Sequence, residues 1–482
     1  MQLLAEIWPY ILAALIPVVQ ATATAHVILR KRDVRSAVGW VGLIWLAPMV
    51  GALAYALLGV NRIQRRAQTL RTQSGGYQEW ISGTAVERDA LRGRVAEDRG
   101  YLADLATLGD RVSGRPLLGG NRVLPLEEGD QTYPAMLDAI AGAKTSVNLA
   151  SYIFDTGSVG DLFVEALAAA QRRGVEVRVL VDDVGARYST PRIARHLRRH
   201  DVRVAHFMPG LLPWRMPYFN LRNHRKIMVV DGQVAFTGGM NIRDEFWREM
   251  DPDHFSRDLH FRIEGPVVSE IQEAFAEDWT FTTGERLEGE AWFPALDSVG
   301  DVVARGIFDG PDIDYEKLQT VLLGALAVAR RSVRILTPYF LPDPALLSAL
   351  GVASLRGVTV EVVVPAEGNL SLVQWASTAQ LDQMIEKGVR VYASPPPFDH
   401  SKLMVVDECW TLLGSANWDP RSLQLNFEFN VECYDPVLGA SMSALFVERR
   451  DASEPITLEA LAARSLPVKL RDGVARLFSP YL

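Results

Sequence analysis

Two stretches of this sequence share one spaced pattern, N-H-R-K-I-M-V-V-D-G-Q-V-A-F-T-G-G-M-N (223–241) and D-H-S-K-L-M-V-V-D-E-C-W-T-L-L-G-S-A-N (399–417). In both, a histidine is followed two residues later by a lysine, and then by an aspartate, a glycine and an asparagine at identical distances. The chain of 482 residues holds 8 His and only seven Lys. Chance alone predicts about 0.1 His-x-Lys pairs in such a chain, so the repeat indicates a duplicated unit.

The residue types of the pattern suit chemistry on a phosphodiester. The corresponding positions are His224 and His400, Lys226 and Lys402, Asp231 and Asp407, Gly238 and Gly414, and Asn241 and Asn417. On a strand, residues i and i+2 face the same way, so we expect each histidine to project beside its lysine. The imidazole can act as nucleophile or general acid, and the ammonium can neutralise the non-bridging oxygens. The asparagine amides can donate to phosphate without adding charge.

The two motif aspartates complete the catalytic motif but have the opposite strand parity from their histidine and lysine. A side chain of opposite parity faces the other side of a strand. We therefore predict that Asp231 and Asp407 stabilise the strand end or its loop and do not contact the phosphate.

The segments around the motifs alternate helices with β-branched strands, which is typical of an α/β fold. In the first repeat we predict helices at 133–143, 160–173 and 191–200 and strands at 146–154, 175–183 and 202–207. In the second we predict helices at 315–330, 344–356 and 373–387 and strands at 332–340, 358–365 and 389–394. This self-similarity implies two similar halves, and a site on their shared face would draw one group from each.

Each imidazole needs a partner that orients the ring and sets its tautomer, and a carboxylate on a following strand would serve. The first repeat offers Asp258 in R-D-L-H-F-R-I-E-G, which stands 34 residues beyond its histidine. The second offers Glu428 in L-N-F-E-F-N-V-E-C, which stands 28 residues beyond its histidine. We predict that both orient a histidine; the alternative is an ordinary carboxylate at a strand end or on the surface.

Two apolar runs near the N-terminus, 7–29 and 37–60, predict a hairpin of two membrane spans. Each can cross about 30 Å of hydrocarbon at about 1.5 Å per residue, and prolines such as Pro48 are tolerable there. With no basic residue before Arg30 and no small-residue cleavage site, the first run is not a signal peptide. Basic residues between the spans and beyond residue 60 favour opposite orientations, which leaves the membrane side open. The alternative is a buried soluble hairpin.

Charge and composition narrow the classes of function. Residues 61–115 are polar and are predicted to be a juxtamembrane linker. A net charge of −8 argues against a protein whose whole surface binds nucleic acid or anionic lipid, although it leaves room for a local basic site. Cys409 and Cys433 cannot staple a secreted scaffold, and we predict that both are buried small hydrophobes. His-x-Lys is a poor metal site, and neither a Cys cluster nor a Gly-rich nucleotide loop is present, so we expect a reaction without metal or cofactor.

One stretch favours a lipid surface. From Arg187 to Lys226 the chain holds ten basic residues and one acidic residue. Within it lies the loop G-L-L-P-W-R-M-P-Y-F-N (210–220), which the second repeat lacks. Its leucines and aromatic rings beside arginines predict a loop that dips toward anionic headgroups. The alternative is an ordinary packed loop.

The paired H-x-K-x(4)-D motifs with their G-[GS]-x-N tails resemble those of the phospholipase D superfamily. With two N-terminal spans in front of them, nearly the whole chain resembles the bacterial cardiolipin synthase family. The resemblance implies a duplicated α/β/α fold with one active site between the halves. It divides the chain into a transmembrane hairpin (1–60), a juxtamembrane linker (61–115) and two catalytic halves (116–295 and 296–482). It also implies a multi-pass protein of the bacterial cell (inner) membrane.

The resemblance implies a mechanism as well. His224 would attack a phosphatidyl group to form a phosphohistidine, and His400 would protonate the leaving glycerol and then deprotonate the incoming hydroxyl. The two motif lysines and the two motif asparagines would hold the phosphate, while Glu428 and Asp258 would orient the histidines. Two phosphatidylglycerol molecules would give cardiolipin and glycerol. The oligomeric state stays open.

Two other functions stay open at this point. A hydrolytic phospholipase D, which would release phosphatidic acid, differs only in using water as the acceptor. A nuclease-like or non-enzymatic relative is the third possibility. The membrane hairpin and the acidic charge balance argue against a nuclease, and the presence of both histidines and both lysines argues against an inactive scaffold.

Overall fold

The computed structural model describes residues 2–31, 34–59, 77–81, 83, 85–95, 97–188, 190, 192–209 and 221–479. They belong to two compact units, the N-terminal helices and the part from residue 77 onward, and each is described by itself. The loop at 210–220, predicted to meet the membrane, and the first part of the predicted linker lie outside the described residues.

The described residues of the N-terminal unit form three helices, α1 (Gln2–Arg30), α2 (Val34–Leu46) and α3 (Pro48–Ala54), followed by a π-helical turn (Tyr55–Gly59). Among the described residues, only α1 is both long and apolar enough to cross a membrane, over Ala13–Arg30. The expectation of a second continuous span is wrong, because that helix breaks between Leu46 and Pro48. Proline has no N–H to donate and its ring crowds the preceding turn, which interrupts a helix at this point.

The helices of this unit are joined by polar contacts as well as apolar ones. Gln20 Nε2 donates to the carbonyl of Ile44 at 3.1 Å, and Trp45 Nε1 donates to Thr24 Oγ1 at 3.1 Å. Such hydrogen bonds hold helices together where apolar packing alone gives little preference for one packing partner over another. The N-terminal residues therefore form a packed helical hairpin whose second arm is broken.

The second unit is built on one mixed sheet. Its strands and their short extensions are β1 (Leu118–Glu127), β2 (Ser146–Ser151), β3 (Glu176–Asp182), β4 (Val204–Phe207), β5 (Arg222–Asn223), β6 (Ile227–Val230), β7 (Val234–Gly238), β8 (Ser256–Arg257), β9 (Leu259–Glu264), β10 (Val302–Asp309), β11 (Ser332–Leu336), β12 (Thr359–Pro365), β13 (Arg390–Ser394), β14 (Phe398–Asp399), β15 (Leu403–Val406), β16 (Trp410–Gly414), β17 (Asn426–Tyr434) and β18 (Glu454–Pro455). The order across the main sheet is β4-β3-β2-β6-β7-β9-β1-β10-β17-β16-β15-β11-β12-β13-β18; β5 pairs with β17 beside this path, and β8 and β14 form a separate two-stranded sheet. Read outward from the antiparallel β1–β10 pair, the two halves repeat the same order, so the sheet is itself duplicated.

Helices cover both faces of this sheet. They are α4 (Arg88–Arg94), α5 (Leu102–Ser113), α6 (Glu128–Gly142), α7 (Ser158–Arg172), α8 (Ile193–Arg199), α9 (Val268–Thr283), α10 (Lys317–Val328), α11 (Pro344–Leu355), α12 (Ser371–Thr378), α13 (Asp382–Ile385), α14 (Pro420–Gln424), α15 (Pro436–Asp451), α16 (Leu458–Ala463) and α17 (Leu466–Leu477). On β6, Ile227 and Val229 enter the core that α9 and α15 share, while Met228 and Val230 enter the core on the other face. This alternation makes the expected three-layer α/β/α arrangement.

The predicted elements of both repeats occur within a few residues of their expected positions, with two differences. The helix expected at 373–387 is divided into α12 and α13. Strands β1 and β10 were not predicted, although they pair with each other and join the two halves into one sheet. The segment before each of these strands contains no motif, so the comparison of the two repeats did not predict a strand there.

The described end of the 61–115 segment is folded against the second half. Leu91 and Leu102 belong to the same buried core as Val303 and Leu322. Arg305 on β10 donates to Glu432 at 2.7 Å and to the carbonyl of Ala106 at 3.1 Å. These contacts attach α5 to the centre of the sheet.

Candidate active site

The two motif histidines lie where each half reaches into the other. β5 pairs in parallel with the start of β17, and β14 pairs in parallel with β8. The backbone N–H of His224 donates to the carbonyl of Phe427 at 2.9 Å, and that of His400 donates to the carbonyl of Arg257 at 2.8 Å. Each histidine is therefore held by a strand of the opposite half.

This exchange decides which carboxylate each histidine meets. His224 Nδ1 lies 2.9 and 3.0 Å from the two carboxylate oxygens of Glu428, and His400 Nδ1 lies 2.8 Å from Asp258 Oδ2. The pairing runs between the halves, so neither histidine uses the carboxylate of its own repeat. One site is completed only when both halves are present.

The two lysines lie beside their histidines, but not within a strand. Residues 224–226 precede β6 and residues 400–402 precede β15, outside the assigned strands. Lys226 Nζ donates to the carbonyl of His224 at 2.6 Å. Lys402 Nζ donates to the carbonyl of His400 and lies 3.1 Å from its Nδ1. Each ammonium is thus held against its histidine by the local backbone and not by strand alternation.

The two carboxyl groups differ in their pKa shifts. Burial by itself would raise the pKa of Glu428, but His224, Lys226 and the Ser415 hydroxyl together hold that pKa below its ordinary value. Ser415 Oγ donates to Glu428 at 2.5 Å, and Asn426 Nδ2 donates to it at 3.2 Å. Burial raises the pKa of Asp258 to about 8, although Lys402 opposes the shift. The pKa values of the two carboxyl groups are therefore shifted in opposite directions, which makes Glu428 the stronger acid of the two.

The origin of this difference is visible in the motifs. Ser415 in the second motif corresponds to Gly239 in the first, so the donor that stabilises the Glu428 carboxylate has no counterpart beside Asp258. A Cβ at Gly239 would collide with the Asp258 carboxyl group. The shorter aspartate thus occupies the space that a serine side chain would need.

Burial lowers the pKa values of the two motif histidines and the two motif lysines. Desolvation lowers the pKa of His224 to about 4 against the opposing effect of Glu428, and it lowers the pKa of His400 well below its ordinary value. Burial also lowers the pKa of Lys226 to about 7 and that of Lys402 to about 8. Lys402 acts on the pKa of His224, and Lys226 acts on that of His400, so the two pairs share one electrostatic site.

The motif aspartates face away from that site and bind backbone N–H groups. Asp231 accepts from the N–H groups of residues 144–146 at 2.7 to 3.0 Å. Asp407 accepts from those of residues 330–332 at 2.7 to 2.9 Å. Both have left-handed backbones, with φ of 53° and 52°. Each carboxylate fixes the loop that leads into the first parallel strand of its half.

Asp407→Ala should lower the free energy of unfolding by about 3 kcal/mol, because several buried N–H groups lose a charged acceptor. Asp231→Ala should act in the same direction. Chemical denaturation of the full chain in detergent measures this, with exposed Asp138→Ala on α6 as the matched control. An unfolding curve of Asp407→Ala equal to that of Asp138→Ala would contradict the assigned role.

The motif asparagines lie beyond the motif glycines. Gly238 and Gly414 have φ of 155° and 150°, and a Cβ there would crowd the carbonyl oxygens of Leu259 and Phe429. Asn241 Oδ1 accepts from the N–H of Ile153 at 3.1 Å, which leaves its amide N–H groups for another acceptor. Asn417 is 5% exposed. The amides remain candidates for phosphate binding.

Sequence reasoning missed two tyrosines of the site. The ring of Tyr152 lies 5.2 Å from that of His224, edge to face, and the ring of Tyr339 lies 6.4 Å from that of His400. Lys226 Nζ also lies 5.5 Å from the Tyr152 ring. Tyr152 follows β2 and Tyr339 follows β11, which are corresponding strands of the two repeats, and this position is the sequence signal that could have identified them. When the two repeats are aligned, the tyrosines are offset by one residue.

The other residues considered as possible binding groups are the two cysteines and clusters of metal-binding side chains. Cys409 and Cys433 are free and buried, which confirms the prediction made for them. Among the described residues, no group of three or more His, Cys, Asp or Glu side chains is arranged to hold a metal ion.

The duplicated α/β/α fold and its paired His–Lys sites define a phospholipase D-type enzyme. The chain matches the family described as "Cardiolipin synthase, PLD-like domain" over residues 136–279 and 322–450, and "Phospholipase_D-nuclease N-terminal" over 18–59. It is 30% identical over 462 residues to cardiolipin synthase 2 of Staphylococcus epidermidis, covering 95% of this chain and 94% of that protein. It is 32% identical over 461 residues to the cardiolipin synthase of Geobacillus thermodenitrificans, covering 94% and 90%. The chain therefore belongs to the cardiolipin synthase family of phospholipase D-type phosphatidyltransferases.

A solved structure supports the fold independently. The phosphatidylserine synthase of Haemophilus influenzae Rd KW20 superimposes with a TM-score of 0.61 at 15% identity, over 79% of this chain and all of that one. At this level of identity, the likeness concerns the fold alone.

Proposed function

We propose that this protein joins two phosphatidylglycerol molecules into cardiolipin and releases glycerol. The observation that carries the proposal is the unequal pair of His–carboxylate contacts: Glu428, beside His224, also accepts from the side chains of Ser415 and Asn426, and its pKa is lowered, whereas burial raises the pKa of Asp258, beside His400. Such an asymmetry provides a nucleophile and an acid in one site. The names of the curated relatives support the choice of product.

His224 is the proposed nucleophile. The ionised Glu428 can only accept a hydrogen bond, so the proton of the neutral His224 ring sits on Nδ1. Its Nε2 then carries a free lone pair. The Glu428 carboxylate also stabilises the positive ring that forms when Nε2 bonds to phosphorus.

His400 is the proposed general acid. Lys402 Nζ can only donate, and the protonated Asp258 carboxyl group can donate as well, so both neighbours of His400 Nδ1 favour an acceptor there. The ring proton therefore sits on Nε2. From that atom it can pass to a leaving oxygen, while Asp258 replaces it at Nδ1.

The reaction then balances in two steps. His224 Nε2 bonds to phosphorus as the bond to the glycerol oxygen breaks, and His400 gives its proton to that oxygen. The hydroxyl of a second phosphatidylglycerol next attacks phosphorus, returns its proton to His400 and releases His224. Lys226, Lys402, Asn241 and Asn417 hold the non-bridging oxygens during both steps.

The proposal extends to the organisation of the chain. Residues 1–60 would anchor it in the bacterial inner membrane as a two-pass hairpin, followed by a linker (61–115) and two catalytic halves (116–295 and 296–482). The second crossing would be made by α2, α3 and the π-helical turn together. The bonds of α1 to Ile44 and Trp45 support a paired hairpin.

The pH dependence follows from the buried lysines. Lys226 and Lys402, with pKa values of about 7 and 8, lose their charge as the pH rises through this range. Because kcat/KM reports the free enzyme, it should be constant from about pH 5 to 6, fall from about pH 7, and fall more steeply above about pH 8. The bound phosphodiester favours the charged lysines, so kcat should fall only at higher pH. Initial rates across pH measure both, and a kcat/KM constant to about pH 10 would contradict the assignment.

A product assay tests the function itself. Purified protein in phosphatidylglycerol vesicles with a chelator should form cardiolipin and glycerol in equal amounts. Phosphatidic acid as the main product would instead establish the hydrolytic phospholipase D. Cleavage of single-stranded DNA with no lipid product would establish the nuclease-like alternative.

A further inference from the structure

The last helix of the chain, α17, exposes a continuous apolar stripe. The stripe consists of four residues of α17 and the residue that directly follows it, exposed by 69%, 61%, 55%, 77% and 51% at Leu466, Leu470, Val474, Leu477 and Phe478. The spacing of four, four, three and one residues places them along one face. Monomeric soluble domains rarely leave a row of large apolar side chains in water, which makes this face a candidate for an interaction.

The charges of α17 are basic wherever they are exposed. Its acidic residue, Asp472, is 1% exposed and pairs with Arg464 and Arg471. Lys469 and Arg476 are exposed. An apolar stripe bordered by cations is typical of a helix that lies in the surface of an anionic bilayer.

α17 is attached to α12, and α12 leads to the active site. Arg471 lies over the ring of Trp375 at 4.3 Å, and Ala475 shares a small buried cluster with Ala376 and Leu341. Just before α12, Asn369 Oδ1 accepts from the hydroxyl of Tyr339 at 2.7 Å.

Tyr339 closes the connection, because its ring lies 6.4 Å from the ring of His400. Leu370, just before α12, and Leu372, in its first turn, are 50% and 42% exposed. The exposed apolar residues thus continue from α17 to the segment that contacts the tyrosine beside the catalytic acid.

We propose that the rim stripe, defined as the four apolar residues of α17 and Phe478 with Leu370 and Leu372, docks into an anionic lipid bilayer at the mouth of the active site. The proposal rests on the function above, since a substrate embedded in a bilayer must reach a buried histidine. A docked rim would let the headgroup enter while the acyl chains stay in lipid. The basic border of α17 selects an anionic surface over a neutral one.

The control position is Leu355 at the end of α11. It is 71% exposed and apolar, so it matches the stripe in character. It lies shortly before β12 begins, at the amino edge of the parallel strands. His400 precedes β15, whose first residue pairs with the last residue of β11, at the carboxyl edge. Leu355 is therefore on the edge opposite the site.

The first experiment measures insertion directly. Leu470→Cys in the full chain is labelled with a polarity-sensitive fluorophore in phosphatidylglycerol vesicles that contain nitroxide-labelled lipid. We expect the emission of the label on Leu470→Cys to shift to the blue and to be quenched at least twofold by the nitroxide lipid. The label on Leu355→Cys should show neither change. Cys409 and Cys433 are 0% exposed and therefore should not be labelled. Emission that is unquenched by the nitroxide, including a blue shift caused by a second copy covering the stripe, would overturn the proposal.

The second experiment measures the consequence. The double variant L470E/L477E should lose about tenfold in rate on phosphatidylglycerol vesicles and keep its rate on soluble short-chain phosphatidylglycerol. Leu355→Glu should keep both rates. Equal losses on both substrates, or none on vesicles, would refute docking. If the chain made no cardiolipin, the quenching result would still decide the docking proposal separately.

Discussion

His224→Ala should abolish both turnover and the covalent intermediate, with a loss of roughly 10⁴-fold or more in kcat. Phosphatidylglycerol carrying labelled phosphate should label the wild-type protein and leave His224→Ala unlabelled. The reason is the tautomer imposed by Glu428, which leaves the lone pair of His224 Nε2 free to attack phosphorus. His254→Ala provides the matched control, because the His254 side chain is 80% exposed.

The complementary variant sharpens this test. His400→Ala should fail with phosphatidylglycerol, because the glycerol oxygen leaves without a proton. With a phosphatidyl p-nitrophenol ester, whose leaving group is a stable anion, His400→Ala should release one equivalent of p-nitrophenol and remain labelled. It stays labelled because no base activates the acceptor. Label that persists in His224→Ala and vanishes in His400→Ala would reverse the two roles.

The second large effect is expected from the carboxylates. Glu428→Gln should lower kcat by roughly 10³- to 10⁴-fold, because the ionised group that orients and stabilises the His224 ring loses its charge. Asp258→Asn should lower kcat by only about 10- to 100-fold. The asparagine amide can still donate to His400 Nδ1 and keep its tautomer, although it cannot give up its proton.

The p-nitrophenol ester separates the two carboxylates further. Its first step needs no acid, so Asp258→Asn should match the wild type there while Glu428→Gln remains slow. Far-ultraviolet circular dichroism and thermal unfolding check that both variants are folded. Equal losses of the two variants on both substrates would show that the halves act symmetrically and would contradict the asymmetric mechanism.

The chemistry of the site could be read from the sequence because it depends on short spacings that occur twice. His224, Lys226 and their counterparts are recognisable as residue types at fixed distances, and the same is true of the strands and helices that surround them. The separate task of Asp231 and Asp407 was also predicted, but the parity argument behind that prediction does not apply, because the His–Lys pairs lie outside the strands. What the sequence misplaced is local: the His–Lys pairs lie just before their strands.

The prediction of a second continuous span failed for a different reason. Composition showed that residues 37–60 are apolar enough for a membrane, but hydropathy is a sum and does not locate a break. The backbone of Pro48 lacks the donor that a continuous helix needs there. The length of the continuous helix therefore depends on Pro48, a residue that changes the summed hydropathy of the run very little.

The duplicated fold and the family follow from the sequence alone, and so does the choice of candidate reacting side chains, because periodicity and spacing are local properties of a chain. Only the tertiary structure decided that Glu428 serves His224 and that Asp258 serves His400. It also decided that the pKa of Glu428 is lowered while that of Asp258 is raised. The physical reason is that pairing depends on which strands the two halves exchange, and the pKa depends on burial and on donors such as Ser415. Both are properties of contacts between residues far apart in the chain.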